Sequence, residues 1–159
     1  MKARRAFRNF IFFVIDVLYV GFIFGNSLKQ GDESALQSKP FAEFFEKILV
    51  FFNNNITYSE VEHYIRKTAH FLEFFLLGLL LFFSFAAKYY RVNYIKPLVY
   101  KTLGLGLTVC SVDEFLQLFV PGRSASPVDV LINFSGILIS FTIGLLYLKA
   151  KKAAIKRKK

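Results

Sequence analysis

Four stretches of the chain, about residues 8–25, 68–87, 99–120 and 128–148, are each long and apolar enough to be candidate membrane helices. The hydrocarbon core of a bilayer is roughly 30 Å thick and a helix rises about 1.5 Å per residue, so one span takes about 20 largely apolar residues. Backbone N–H and C=O groups find no water at that depth, and a helix satisfies them within a single segment. With 55% hydrophobic residues and 21 phenylalanines, the chain has the composition of an integral membrane protein rather than a water-soluble domain. The expected architecture is all-α: a single membrane domain over residues 1–159, built as a polytopic bundle of four transmembrane helices and closed by a basic tail at 149–159.

Orientation follows from the basic residues, because Lys and Arg near span ends stay on the cytoplasmic side. Lys2, Arg4, Arg5 and Arg8 precede the first span, Lys88, Arg91 and Lys96 join the second to the third, and the tail KAKKAAIKRKK holds seven more. The connection between the third and fourth spans has only Arg123, and the long first loop mixes five basic with six acidic residues. Both termini are therefore expected in the cytoplasm, with the long loop and the Pro121-Gly122-Arg123 turn outside. The leader MKARRAFR ahead of FIFFVIDVLYVGFIFG resembles a signal peptide, but Asp16 interrupts the apolar core, no clear small-residue cleavage site follows, and three more spans come after it. Retention as a span is the expectation. The net charge of +10 resides mainly in the N-terminus and tail, beside predicted spans, which points to anionic lipid head groups and not to nucleic acid. Cys110 is the sole cysteine, so there is no disulfide framework and no cysteine metal pair.

The first loop has its own periodicity. Phe41, Phe44, Phe45, Ile48, Leu49 and Phe52 recur at helical spacing after Pro40, with Glu43, Glu46 and Lys47 between them, predicting an amphipathic helix on the outer leaflet or over the bundle. Asn53, Asn54 and Asn55 end it. Thr57-x-x-Glu60 then has the form of a capping box opening a helix into the second span. Asn55-Ile56-Thr57 is a glycosylation sequon, meaningful only in a eukaryotic secretory pathway. Gly136, Ser140 and Gly144 recur every fourth residue, a small-residue stripe suited to close helix packing in lipid. Gly104-x-Gly106 lacks the strand and third glycine of a phosphate-binding loop.

On this topology the intramembrane polar residues gather at one depth. Arg66, Lys67, His70 and Glu73 enter with the second span, Asp113, Glu114 and Gln117 leave with the third, and Asp129 and Asn133 return with the fourth. Spacings of three and four place Arg66, His70 and Glu73 on one helical face, and do the same for Asp113 with Gln117, Glu114 with Gln117, and Asp129 with Asn133. A charged side chain at mid-membrane costs about 2.5–3.5 kcal/mol on insertion scales, so such groups face protein or a water-filled cavity and have partners. Arg66, Lys67 and Arg123 are the natural counter-charges. A purely structural ion-pair network pinning the helices is the plain alternative. Asp16 lies apart, deep in the first span, with Lys101 as its candidate partner.

The blocks Arg66-Lys67-x-x-His70-Phe71-x-Glu73, Asp113-Glu114-x-x-Gln117-x-Phe119-x-Pro121-Gly122-Arg123 and Asp129-x-x-x-Asn133-x-x-Gly136, with Ser27 closing the first span, resemble the VanZ-like family of small bacterial membrane proteins over residues 10–147. The resemblance implies a multi-pass protein of the bacterial cytoplasmic membrane with a cell-envelope role, associated with reduced susceptibility to lipoglycopeptides such as teicoplanin. Where the family commonly has a tyrosine after the glutamate of the first block, this chain has Phe74.

Three functions fit. In the first, an outward-facing polar pocket binds an anionic lipid or a cell-wall precursor, with Arg66, Lys67, Gln117, Arg123 and Asn133 as ligand-binding residues. In the second, His70, Glu73, Asp113, Glu114 and Asp129 are candidate catalytic residues of a hydrolase or transferase acting on a lipid-linked phosphate. That chemistry admits a divalent metal as cofactor, though the sequence requires none, and His70-x-x-Glu73 alone is a weak metal signal. Ser124 and Ser126 lie nearby in sequence without a convincing paired base. The third function is transport or lipid flipping, for which four spans are few without oligomerisation.

Overall fold

The computed structural model describes residues 2–29, 39–41, 43–45, 57–89, 95–123 and 125–157. All regular structure among them is helical. Four long helices follow one another: α1 (Lys2–Ser27), α2 (Tyr58–Tyr89), α3 (Ile95–Gln117) and α4 (Pro127–Arg157). Within the first loop, residues 39–41 and 43–45 are helical, and the aromatic rings of Phe41, Phe44 and Phe45 are exposed. The rest of the expected amphipathic helix, including Ile48, Leu49 and Phe52, lies outside the described residues, as do Asn53–Asn55 and Ser124.

α1, α2 and α4 are long and apolar enough to cross a membrane. α3 is not among them, because Lys96, Lys101, Asp113 and Glu114 interrupt its 23 residues. The helices overrun the apolar windows that announce them: α2 begins at Tyr58 and α4 ends at Arg157. Helical hydrogen bonding is indifferent to where the hydrocarbon stops, so polar, helix-compatible segments continue the turns on either side.

Local chemistry sets the helix ends. Thr57 and Glu60 form a reciprocal cap on α2: the Thr57 N–H donates to Glu60 Oε2 at 2.9 Å, and the Glu60 N–H donates to Thr57 Oγ1 at 3.4 Å. Pro127 stands at the first position of α4, where its missing N–H costs nothing, and Ser126 Oγ accepts from the Val128 N–H at 3.2 Å. α3 ends at Gln117, three residues short of the predicted limit, and the chain tightens there into three-residue turns from Leu118 to Val120. Val120-Pro121-Gly122-Arg123 then reverses the chain. The Arg123 N–H donates to Val120 O at 3.1 Å and Gly122 has φ 75°, the signature of a type II turn with proline and glycine in their preferred positions.

The small-residue stripe of α4 docks on α2. A Cβ built on Gly136 would lie 2.7 Å from Phe71 O and 3.0 Å from Phe75 N, both backbone atoms, and one on Gly78 would meet Ser140 Oγ and, at 2.9 Å, the Ile137 Cα. The two backbones therefore touch, as small residues allow in lipid. Around this seam Ile23, Phe74, Leu77, Leu81, Val109, Cys110 and Ile137 form one core, while Phe82, Ala86, Leu98 and Phe141 form a second further along. Cys110 is packed in the first core. Many large apolar side chains point outward, among them Phe10, Leu18, Phe115, Phe119 and Leu131. So broad an apolar exterior suits a lipid solvent, whereas in water it would drive association. Asp16 faces a cleft of about 530 Å³ between α1, α2 and α3, shared with Ser84, and its Oδ1 is buried without a hydrogen bond.

Candidate functional site

The C-terminal ends of α1 and α3 and the N-terminal portions of α2 and α4 converge at one end of the bundle. The alternating direction of four consecutive helices brings their polar faces to the same level. Gly136, by letting α4 lie against the α2 backbone, places Asp129 and Asn133 within reach of residues one and two turns away. A cavity of about 70 Å³ opens there, lined by Arg66, Lys67, His70, Glu114, Gln117, Arg123, Asp129 and Asn133, with His63, Gly122 and Ile132. Glu73 and Asp113, the other two residues singled out by spacing, sit behind this wall and not on it.

α3 and α4 are tied through Glu114, which is 5% exposed. Its Oε1 accepts from Asn133 Nδ2 at 3.4 Å and its Oε2 accepts from the Ser126 N–H at 3.3 Å. α3 is tied to α1 through Gln117, whose Nε2 donates to Asp113 Oδ2 at 3.0 Å and to Ser27 Oγ at 3.3 Å. Asp113 is fully buried, and its Oδ1 has no hydrogen-bond partner. It holds the Gln117 amide and lies against the Ser27 hydroxyl of α1, which makes it a positioning residue beneath the cavity.

The cations divide into two kinds. Lys67 Nζ lies 2.8 Å from Asp129 Oδ1, and Arg66 NH2 donates to Glu62 Oε1 at 2.7 Å. The Arg66 partner therefore comes from its own helix, one turn back, and not from the intramembrane carboxylates for which the sequence offered it as a counter-charge. Arg123 is held differently: its guanidinium donates to three uncharged acceptors, the carbonyls of Lys29 and Asn26 and His70 Nε2, each at 3.3 Å. These bonds are at the long end of the hydrogen-bond range, so they aim the group without saturating it. Burial, and after it the neighbouring Arg66 guanidinium, push the Arg123 pKa below the usual arginine value. The group nevertheless keeps its charge, as arginine does in proteins.

Arginine has no acceptor, so the contact with His70 assigns that ring. Nε2 must accept, which places the proton on Nδ1, and Nδ1 lies 3.4 Å from Glu73 Oε2. That approach is within ion-pair distance but outside hydrogen-bond geometry. The other Glu73 oxygen accepts from Asn26 Nδ2 at 2.8 Å, and the Glu73 carbonyl accepts from the Tyr19 hydroxyl at 3.2 Å. The chain Asn26–Glu73–His70–Arg123 thus links α1, α2 and the turn.

This arrangement does not suit a metal. The His70 nitrogen that a cation would take is occupied by Arg123, the other faces Glu73, and no group of three or more His, Cys, Asp or Glu among the described residues is arranged to hold an ion. Ser126 caps α4, and Ser27 accepts from Gln117 beside the Asp113 carboxylate. Phe74 is fully buried in the first core, away from the cavity.

Asn26, Tyr19 and Glu62 were not among the residues singled out by spacing. Tyr19, Ile23 and Asn26 stand at intervals of four and three on one face of α1, and Ile23 is fully buried. That periodicity was the available signal for Asn26. The backbone carbonyls of Asn26 and Lys29, which hold Arg123, leave no trace in residue identity.

Comparison with curated proteins and with solved structures gave no match. A family model described as VanZ/LLP1 matches residues 10–148, from the first third of α1 almost to the basic end of α4. That range contains every residue of the cavity wall, and with most of its length matched the chain belongs to the VanZ/LLP1 family of membrane proteins.

Proposed function

We propose that this protein is a four-span protein of the bacterial cytoplasmic membrane, both termini cytoplasmic, whose outward-facing cavity binds an anionic head group. The ligand is the head of a lipid or of a cell-wall precursor, and binding it lowers susceptibility to teicoplanin-type lipoglycopeptides. α3 is the fourth span: its 23 residues reach about 34 Å as a helix. Its charged residues at the cavity end face protein.

One observation carries the reading. Arg123 is swung back over the cavity by a Pro-Gly turn and has only uncharged acceptors, while Arg66 and Lys67 line the same space. A buried guanidinium with only long, neutral hydrogen bonds gains from a phosphate or carboxylate, which it can meet with two parallel N–H donors. The volume of about 70 Å³ is that of two or three waters, enough for a single phosphate or carboxylate group and too small for a whole lipid or glycopeptide.

The enzymatic alternative rests on His70 and Glu73. An incoming anion that draws Arg123 away would leave Nε2 free to take a proton, with Glu73 behind the ring, as a hydrolase or transferase acting on a lipid-linked phosphate requires.

The test is teicoplanin susceptibility in a bacterial host expressing the protein. His70→Ala, Glu114→Gln and Arg123→Ala are each expected to abolish protection while membrane insertion stays intact. Full protection in all three would overturn the proposal. Phosphate release from a lipid-linked phosphate that disappears in both Glu73→Gln and Asp113→Asn would select the enzyme over the binding protein.

A further inference from the structure

The other end of the bundle carries a second, larger cleft. About 700 Å³ lies between the start of α1, the end of α2 and the end of α4, walled by Phe12, Leu80 and Tyr147 and rimmed by Arg8, Lys151 and Lys152. Helical spacing orders these residues by depth. Arg8 is one turn nearer the end of the bundle than Phe12, and Lys151 is one turn beyond Tyr147, with its ammonium 5.9 Å from the centre of that ring. The apolar walls are therefore deep and the cations stand at the mouth. Among the described residues, none that lines the cleft is acidic. Arg8 Nε is buried and has no hydrogen-bond partner among the described residues. Three basic side chains on one apolar cleft are best complemented by phosphate oxygens.

We propose that this cleft is a retained binding site for an anionic glycerophospholipid, with an acyl chain against Phe12, Leu80 and Tyr147 and the phosphate held by Arg8, Lys151 and Lys152. The site is separate from the polar cavity and does not depend on what that cavity binds. The volume falls within the roughly 300–1,000 Å³ usual for ligand sites. A second copy of the chain is a poor occupant, because a two-fold contact would bring the same three cations against themselves. A zwitterionic lipid fills the walls but brings its own cation to the mouth.

The experiment uses the full chain, purified in detergent and exchanged into nanodiscs containing equal amounts of phosphatidylglycerol and phosphatidylcholine. Native mass spectrometry then reads which lipid stays bound on release. Phosphatidylglycerol is expected to be retained in preference, and Arg8→Gln, Lys151→Gln and Lys152→Gln are each expected to lower that preference about five-fold, from about 1 kcal/mol per basic residue near an anionic surface. Ala87→Phe, which fills the cleft wall and leaves the cations in place, is expected to lower retention of both lipids. Equal retention of the two lipids by the unaltered protein would overturn the proposal. So would a preference unmoved by the three charge variants, or a lipid-free dimer burying the cleft.

Discussion

The contact that builds the polar cavity can be tested at a single atom. Placing a methyl on Gly136 puts carbon 2.7 Å from Phe71 O and 3.0 Å from Phe75 N. Ordinary contacts between such atoms are near 3.5 Å, so α4 must back away from α2 by somewhat under about 1 Å. Both obstacles are backbone atoms within a helix, and neither can rotate aside. Overpacking of this kind costs about 1–3 kcal/mol. Replacing glycine by alanine inside a helix also gains up to about 1 kcal/mol in propensity, which would obscure the result. Gly104 supplies the control: it is helical, and a Cβ built there meets nothing within 4 Å. Comparing Gly136→Ala with Gly104→Ala cancels the propensity term and leaves the collision. At about 2–4 °C per kcal/mol for a chain of this size, Gly136→Ala should melt about 2–12 °C below Gly104→Ala in a thermal scan in detergent. The same retreat stretches the Asn133 bond to Glu114, already 3.4 Å, so the Gly136 variant should also lose teicoplanin protection before it loses insertion. Equal melting temperatures for the two variants would refute the close approach of α2 and α4, and with it the placement of Asp129 and Asn133.

Other perturbations act on single supports of the site. Gly122→Ala forces a side chain into the left-handed region at φ 75°, at a cost of about 1–2 kcal/mol, and should reduce protection by misdirecting Arg123 while Pro121→Ala does less; equal effects would discount the turn. Thr57→Ala removes the cap on α2 and should lower stability by about 0.5–2 kcal/mol in a denaturation measurement without changing protection, because the cap lies away from the cavity wall. Asn26→Leu leaves the Glu73 carboxylate without its 2.8 Å donor and should impair protection as severely as His70→Ala; a silent substitution would detach Glu73 from the site.

The polar face of each helix was legible from residue spacing alone. His70 with Glu73 and Asp129 with Asn133 could be assigned to shared faces because the helical period is set by local geometry. The capping residues Thr57 and Glu60, and the Pro-Gly reversal before Arg123, were legible for the same reason. Partner choice was not. Arg66 takes Glu62, a neighbour at i−4, while Lys67 crosses to Asp129, and nothing in the order of residues decides between a local and a crossing pair. That choice depends on how far apart the helices stand, which Gly136 and Gly78 control.

By its own order of apolar and charged residues, the chain determined that it would be helical, that it would seek a membrane, and that polar groups would stand at one level on three helices. Those are one-dimensional properties: hydropathy summed over a span, and a period of 3.6 residues. Only the packed structure decided that Glu73 and Asp113 lie behind the cavity, that Asn26 of α1 joins them, and that Arg123 is aimed by backbone carbonyls at an uncharged histidine nitrogen. Contacts between helices arise from the distance and rotation at which whole surfaces fit, and those are settled jointly by every residue along the seam.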